Sequence, residues 1–260
     1  MQKPTSSGHA PVNGLNMYYE IYGEGGMPMI LIHGGGSTIE SSFSNLIPWL
    51  VGHSKIVAVE LQAHGRTSDR DAPESFEQDA DDVAGLLSHL GIGKADFLGF
   101  SNGGTTCLQI AIRHPQIIHK LVIISSNYQR EGMLPGMLEG MRHATLHDMP
   151  IQLREAYLEV APDKNQLQVM FEKDRDRMIY FTDIPDEALR SIKAPSLLMV
   201  ADRDVMTVAH VLKMSQLIPD ARLAVLPGTH GSFIGEICSA DKGSGLPEMT
   251  AVLVKEFLGK

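Results

Sequence analysis

Gly99-Phe100-Ser101-Asn102-Gly103-Gly104 is the stretch that decides how this chain is interpreted. It follows the short run 95–98 and precedes the apolar segment 105–112, which predicts a strand that turns directly into a helix. A turn this tight strains the serine backbone, and glycine on both sides relieves the crowding while the hydroxyl stays exposed. The pattern G-x-S-x-G is weak by itself. Its value depends on whether the rest of the chain supplies a base, an acid and an oxyanion hole.

The composition limits the classes of protein that fit. The chain has 260 residues, of which 43% are hydrophobic and 20% charged, as in ordinary globular proteins with a substantial core. A net charge of −9 argues against nucleic acid and an anionic membrane surface as partners. Cys107 and Cys238 have no metal-like or C-x-x-C spacing, so we expect buried free thiols. Without a signal-like or membrane-spanning segment, a cytoplasmic protein is expected.

The order of predicted elements indicates an α/β fold. We expect residues 1–12 to form a flexible leader, because they are polar and rich in Ser, Pro and Gly. Unbroken apolar runs such as 28–32 are typical of strands covered on both faces. Strands are predicted at 15–22, 28–32, 55–60, 95–98 and 117–125, and helices at 39–51, 75–90 and 105–112. This alternation predicts a mostly parallel, doubly wound sheet with helices on both faces.

The alternation stops after the fifth strand. Residues 127–186 contain no strand-like run and read as short amphipathic helices, which predicts a helical cap over the sheet edge. The sheet pattern resumes at 194–200, followed by a helix at 208–218, a strand at 221–226 and a helix at 247–258. We therefore expect a core formed by 13–126 and 187–260.

The downstream strands supply the partners that a nucleophilic serine needs. A serine hydroxyl requires a histidine to accept its proton, and the histidine requires a carboxylate that fixes its tautomer. Asp202 and Asp204 follow the strand at 194–200, and His230 follows the last strand. All of them therefore lie at the same predicted sheet edge as Ser101.

Over residues 14–258 the chain resembles the α/β-hydrolases that carry a helical cap. The resemblance rests on His33-Gly34-Gly35-Gly36, the loop 60–68, the Ser101 turn and the loops that contain Asp204 and His230, in the chain order Ser, Asp, His. It implies Ser101 as nucleophile, Asp204 as acid and His230 as base. Asp204 stands three places after Ala201, as in the family pattern, whereas Asp202 is interpreted as a turn residue.

The resemblance also implies an oxyanion hole made of two backbone N–H groups. They belong to Asn102, at the start of the helix after the nucleophile, and to Gly35, the residue that follows His-Gly. Asn102 itself departs from the family pattern, which more often has methionine, leucine or glutamine there.

The expected activity is hydrolysis of a small, largely apolar ester, lactone or thioester through an acyl-enzyme on Ser101, without a metal or organic cofactor. Substrate contacts are expected from five residues: Gly34, Met133, Met137, Met141 and Phe233. The methionines have helical spacing and fit the core of the cap equally well. His143 and His147 lie four apart without a third ligand, so no metal site is predicted.

Other hypotheses stay open at this stage. The same triad supports carbon–carbon bond hydrolysis of ring-cleavage products and cofactor-free perhydrolysis, and a hydrolase fold with a slow triad can also serve as a ligand receptor. A serine nucleophile argues against the dehalogenases and epoxide hydrolases of this fold, which carry aspartate. The acyl group, the leaving group, the position of the cap and the oligomeric state are not determined by the sequence.

Overall fold

An eight-stranded sheet forms the centre of the fold in the computed structural model, which describes residues 2–259. The strands are β1 (Ser6–Val12), β2 (Leu15–Tyr22), β3 (Met29–Ile32), β4 (Ile56–Val59), β5 (Ala95–Phe100), β6 (Ile118–Ile124), β7 (Ser196–Arg203) and β8 (Ala221–Thr229). Their order in the sheet is β1-β2-β4-β3-β5-β6-β7-β8; β2 pairs antiparallel with both β1 and β4, and the other pairings are parallel. The predicted mostly parallel sheet is confirmed.

Helices cover both faces of this sheet. They are α1 (Ile39–Phe43), α2 (Ile47–Leu50), α3 (Phe76–His89), α4 (Asn102–Arg113), α5 (Met137–His143), α6 (Ile151–Val160), α7 (Leu167–Tyr180), α8 (Asp186–Ser191), α9 (Val208–Leu217) and α10 (Leu246–Leu258). The segment predicted as helical at 39–51 consists of two short helices, and Pro48 lies in the first turn of the second, where its missing N–H costs nothing.

The sheet separates two apolar cores. One face of the sheet packs against α3, α4 and α9, and the other packs against α1, α2 and α10. Side chains alternate between the faces along each strand, so Phe97 of β5 lies in the first core and Leu98 in the second. Because β3 and β4 are buried on both faces, their sequences are continuous apolar runs.

The expected flexible leader is wrong for most of its length. Residues Ser6–Val12 form β1, which pairs with β2 from end to end, and Ala10 and Val12 are buried. Asn13 and Gly14 both have positive φ values, of 45° and 85°, as a two-residue hairpin turn requires. The polar composition misled the prediction because an edge strand is held mainly by backbone hydrogen bonds and has one exposed face.

The segment between β6 and α8 consists of α5, α6 and α7 with 3₁₀ turns, as the cap prediction expects. A third apolar cluster contains Met149, Tyr157, Leu167 and Met170 of this segment together with Ala63 of the core. The helix α8 starts at the end of the predicted cap and packs against α4 and α9. This helical segment thus packs against the core beside the loop that contains Ala63.

Candidate active site

Ser101 occupies the turn between β5 and α4 in a strained conformation, with φ 54° and ψ −121°. A Cβ at Gly99 would lie 2.2 Å from the carbonyl oxygen of Gly103, and a Cβ at Gly103 would lie 2.2 Å from that of Ile32. No side chain fits in either place. The two glycines of the motif are therefore required by close backbone packing around the serine.

Ser101, His230 and Asp204 form a continuous hydrogen-bonded chain. His230 Nε2 lies 3.1 Å from Ser101 Oγ, and His230 Nδ1 lies 2.7 Å from Asp204 Oδ1. The three residues follow β5, β8 and β7, whose carboxyl ends share one edge of the sheet. A proton on Nδ1, facing the carboxylate, leaves Nε2 free to accept the proton of the serine hydroxyl.

Four donors surround the Asp204 carboxylate, which is buried. Oδ1 accepts from His230 and from the N–H of Met206 at 3.2 Å; Oδ2 accepts from Ser125 Oγ at 2.5 Å and the N–H of Ala201 at 3.2 Å. Burial alone would raise the pKa of Asp204, but the hydrogen bonds from His230 and Ser125 outweigh it, and the pKa lies below its ordinary value. The group is therefore ionised at neutral pH.

Sequence reasoning missed Ser125, which has a positive φ of 51°. A signal for it existed, because it follows β6 directly and β6 lies between the strands that carry Ser101 and Asp204. Asp202 lies apart from this chain: its exposed side chain accepts a hydrogen bond from the N–H of Gly228 at 2.8 Å.

The loop after β3 is shaped by two buried, neutral histidines. His33 Nε2 accepts from the N–H of Leu61 at 3.0 Å, and its Nδ1 donates to the carbonyl of Gly34 at 2.7 Å. His64 Nε2 accepts from the N–H of Gly36 at 3.2 Å. Burial lowers the pKa of His33 to about 3 and also lowers that of His64. Both histidines therefore stay uncharged and hold the loop in place.

The two predicted oxyanion donors are available. Within residues 2–259, no hydrogen bond occupies the backbone N–H of Gly35 or that of Asn102. The N–H of Asn102 is at the first turn of α4, where the helix dipole favours negative charge. Both residues line the cavity that opens above Ser101.

That cavity has a volume of about 320 Å3, and methionine is the commonest residue type in its wall. Met133, Met137 and Met141, predicted from the sequence as substrate contacts, all line it. It is completed by residues that sequence reasoning did not single out, among them Met149, Met170, Met178, Met206, Phe171 and Leu153. Thioether side chains are flexible, so these walls can adapt to apolar groups of different shape.

The matching family model is described as "alpha/beta hydrolase fold" and covers residues 27–178, more than half of the chain. The chain belongs to this family. The match includes the loop after β3 and the Ser101 turn, so the fold that the motifs implied is confirmed.

Individual relatives of this α/β-hydrolase differ in what they are named for. The human serine hydrolase BPHL is 28% identical over 239 residues, covering 86% of this chain and 80% of that protein. A 2-hydroxy-6-oxo-6-(2'-aminophenyl)hexa-2,4-dienoic acid hydrolase from Metapseudomonas resinovorans is 24% identical over 225 residues, covering 78% of this chain and 77% of that protein. The enol-lactonase from Burkholderia xenovorans has a TM-score of 0.75 at 22% identity, covering 97% of this chain and 100% of that one.

Two predicted substrate contacts in this hydrolase are wrong. Phe233 is fully buried in the core beside α10 and is not part of the cavity wall. Gly34 lies beneath the site: a Cβ there would be 3.3 Å from the Cβ of Ser101 and 3.1 Å from the ring of Phe100. Phe233 was selected because it follows His230 closely, but the 3₁₀ turn at Ser232–Ile234 directs its ring into the core.

One unanticipated cap residue reaches the site. Asp174 of α7 lines the cavity and accepts a hydrogen bond from the side-chain amide of Asn102 at 3.1 Å. No sequence motif marks it, because its position depends on how the cap packs over the sheet.

Two larger clefts, of about 500 and 750 Å3, contain neither Ser101 nor His230. Across residues 2–259 there is no group of three His, Cys, Asp or Glu side chains arranged to hold a metal ion. None of the helices in that range has both the length and the apolar composition needed to span a membrane.

Proposed function

We propose that this α/β-hydrolase cleaves small, largely apolar esters, including lactones or thioesters, through an acyl-enzyme on Ser101. The observation that carries the proposal is the hydrogen-bonded chain Ser101–His230–Asp204, which opens into a cavity walled by methionines. A nucleophile, its base and the group that orients the base are within hydrogen-bond reach of one another, as nucleophilic catalysis requires.

In the acylation step, Ser101 Oγ attacks the ester carbonyl while His230 Nε2 takes the hydroxyl proton. The Asp204 carboxylate stabilises the imidazolium that forms, because it is ionised and 2.7 Å from Nδ1. The N–H groups of Gly35 and Asn102 stabilise the negative charge on the carbonyl oxygen. His230 then donates its proton to the leaving alcohol, and the carbon–oxygen bond breaks.

Deacylation repeats these roles with water. His230 takes a proton from a water molecule, which attacks the acyl carbon and forms a second oxyanion at the same two N–H groups. Collapse of this intermediate returns the proton to Ser101 Oγ and releases the acid. Each residue thus acts twice, and no further group is needed to complete the cycle.

The cavity volume supports a small substrate. About 320 Å3 is at the lower end of the volumes typical of small-molecule sites. Contact with the thioether walls favours an acyl or aryl group of few polar atoms. We therefore expect esters with short or compact apolar groups to be the best substrates.

Carbon–carbon bond hydrolysis of ring-cleavage products is the second candidate. The relative from Metapseudomonas resinovorans is named for a dienoic acid of this kind, and Arg175 lines the cavity as a cation that could meet a substrate carboxylate. Against it, both Nε and Nη2 of Arg175 already bind Asp176.

The test is a panel of aryl esters, lactones and dienone acids assayed with the wild type and with Ser101→Ala. We expect multiple turnovers on apolar esters and their loss in Ser101→Ala, with Ser88→Ala, an exposed serine on α3, as a control. A fluorophosphonate should label only Ser101, which peptide mass spectrometry would locate. Wild-type turnover in Ser101→Ala would refute the proposal, and faster turnover of dienone acids than of esters would favour the second candidate. Tight ligand binding without turnover would indicate a receptor.

A further inference from the structure

Asp174 brings a carboxylate into the apolar cavity, next to the loop that we propose as half of the oxyanion hole. Its Oδ2 lies 2.5 Å from where a Cβ at Gly35 would stand, so only glycine leaves room for it. Its Oδ1 accepts from Asn102 Nδ2 and from the guanidinium of Arg177. Within the described part of the chain, Oδ2 receives no hydrogen bond. One oxygen is therefore held and the other is free to bind a donor.

The buried ion cluster behind Asp174 carries too few positive charges. Arg177 is the one cation shared by Asp174, Asp79 and Glu74. Burial raises the pKa of Glu74 well above its ordinary value, although Arg177 opposes this shift. Burial also raises the pKa of Asp79, to about 6, which leaves it ionised at neutral pH. Even with Glu74 left out of the count, Asp174 and Asp79 share a single guanidinium.

The charge state of Asp174 is set by the same cluster. Burial opposes its ionisation, but Arg177 outweighs this effect, and the pKa of Asp174 lies below its ordinary value. His64 Nε2 lies 3.9 Å from Asp174 Oδ1. It adds no positive charge, because burial lowers the pKa of His64 below its ordinary value. Asp174 is therefore ionised, and it is the member of the cluster that lines the cavity above Ser101.

An ionised carboxylate beside an oxyanion hole opposes the reaction of a neutral ester, because negative charge also develops on the carbonyl oxygen. A substrate cation held between the two negative groups would reverse this effect. We propose that Asp174 is a specificity-determining residue that binds an ammonium group located within a few bonds of the scissile carbonyl. This inference rests on the ester hydrolysis proposed above and names its substrate class: esters with one positive charge on an otherwise apolar frame.

The rest of the cavity agrees with this assignment. The cation of Arg175 is balanced by Asp176, and its Nη1 binds the carbonyl of Ala144, so it does not cancel Asp174. The methionine walls take the apolar part of the substrate. Acids such as dienoates would meet the free carboxylate oxygen Oδ2 of Asp174 and be disfavoured.

Two pairs of substrates with the same shape test the inference and separate the two possible places of the cation. For the acyl side, the benzyl ester of L-alanine is compared with benzyl 2-methylpropanoate, in which a methyl group replaces the ammonium. For the alcohol side, choline butanoate is compared with 3,3-dimethylbutyl butanoate. Acid release is measured at about pH 6.5, where an α-amino group is protonated. We expect kcat/KM to favour the cationic member of one pair by about 10- to 100-fold.

The variants test whether Asp174 causes that preference. Asp174→Asn keeps an oxygen that can accept from Asn102 and Arg177, so we expect it to lose the preference while still hydrolysing the neutral esters. Glu172→Gln removes an equal charge from the exposed side of α7, where Glu172 binds Gln168, and should retain the preference. Asp174→Ser is a second neutral variant should the asparagine not fold.

The outcomes separate this inference from the proposed function. Ser101-dependent hydrolysis without a cation preference in the wild type would overturn the role of Asp174 and leave ester hydrolysis intact. A preference that survives in Asp174→Asn, or that disappears equally in Glu172→Gln, would also overturn it. Absence of Ser101-dependent turnover on all four esters would instead refute the proposed function.

Discussion

Replacing Asp204 by asparagine tests the proposed triad more sharply than removing the serine does. Four donors converge on its two carboxylate oxygens, two on each. An asparagine offers one acceptor oxygen, so its NH2 group must face one of the two donor pairs. The size of the effect depends on which pair that is.

With the NH2 group in place of Oδ1, His230 must present an unprotonated Nδ1. Its proton then moves to Nε2, which can no longer accept the proton of Ser101, a change that costs about 10⁴-fold in kcat. With the NH2 group in place of Oδ2, His230 keeps its tautomer but loses the charge that stabilises its protonated form, which costs about 10- to 100-fold. We therefore expect kcat to fall by about 10- to 10⁴-fold, depending on this orientation, with KM little changed.

Steady-state kinetics on the best aryl ester measure this fall, and thermal unfolding shows whether the variant is folded. Asp202→Asn is the matched control, because Asp202 stands two residues earlier and is exposed. It should stay within about twofold of the wild type, as surface substitutions usually do. If Asp204→Asn keeps more than a tenth of the activity, or if Asp202→Asn loses it, Asp204 is not the acid of the triad.

Three further predictions concern the support of the site. Ser125→Ala removes one donor to Asp204 and should lower kcat about tenfold at constant KM in steady-state assays; an unchanged kcat would contradict this. Gly103→Ala places a Cβ 2.2 Å from a carbonyl oxygen of β3 and should cost more than about 3 kcal/mol in urea unfolding. Gly140→Ala, in open space on α5, should instead stabilise by about 0.5–1 kcal/mol, and equal effects of the two would refute the packing argument. Because the pKa of His33 is about 3 in the folded protein and about 6.5 in the unfolded chain, protonation favours unfolding between these values. The free energy of unfolding should fall by up to about 1.4 kcal/mol per pH unit below pH 6.5, and His33→Gln should show a shallower slope in urea titrations.

The sequence predicted seven of the eight strands, in their order along the chain. Strands that are buried on both faces are mostly apolar, so β3 and β4 stand out as runs without alternation. The edge strand β1 does not stand out, since its pairing uses backbone groups that every residue carries. The prediction from composition was therefore wrong for residues 6–12, although Asn13-Gly14 is a dipeptide typical of hairpin turns.

The three residues of the proposed triad could also be predicted from the order of the strands. Ser101, Asp204 and His230 each follow a strand, and parallel strands bring their carboxyl ends to one edge whatever the side chains elsewhere. Chain order and local spacing are therefore enough to propose a triad.

What the sequence could not determine is the wall opposite the serine. Asp174 lies on a cap helix whose rotation and depth depend on packing among Met149, Tyr157, Leu167 and Met170. Helical spacing shows which residues share a face of the helix, but not which part of the core that face meets. The cavity, its methionine walls and the unpaired oxygen of Asp174 arise only when the cap closes over the sheet, because each depends on side chains brought together from distant parts of the chain.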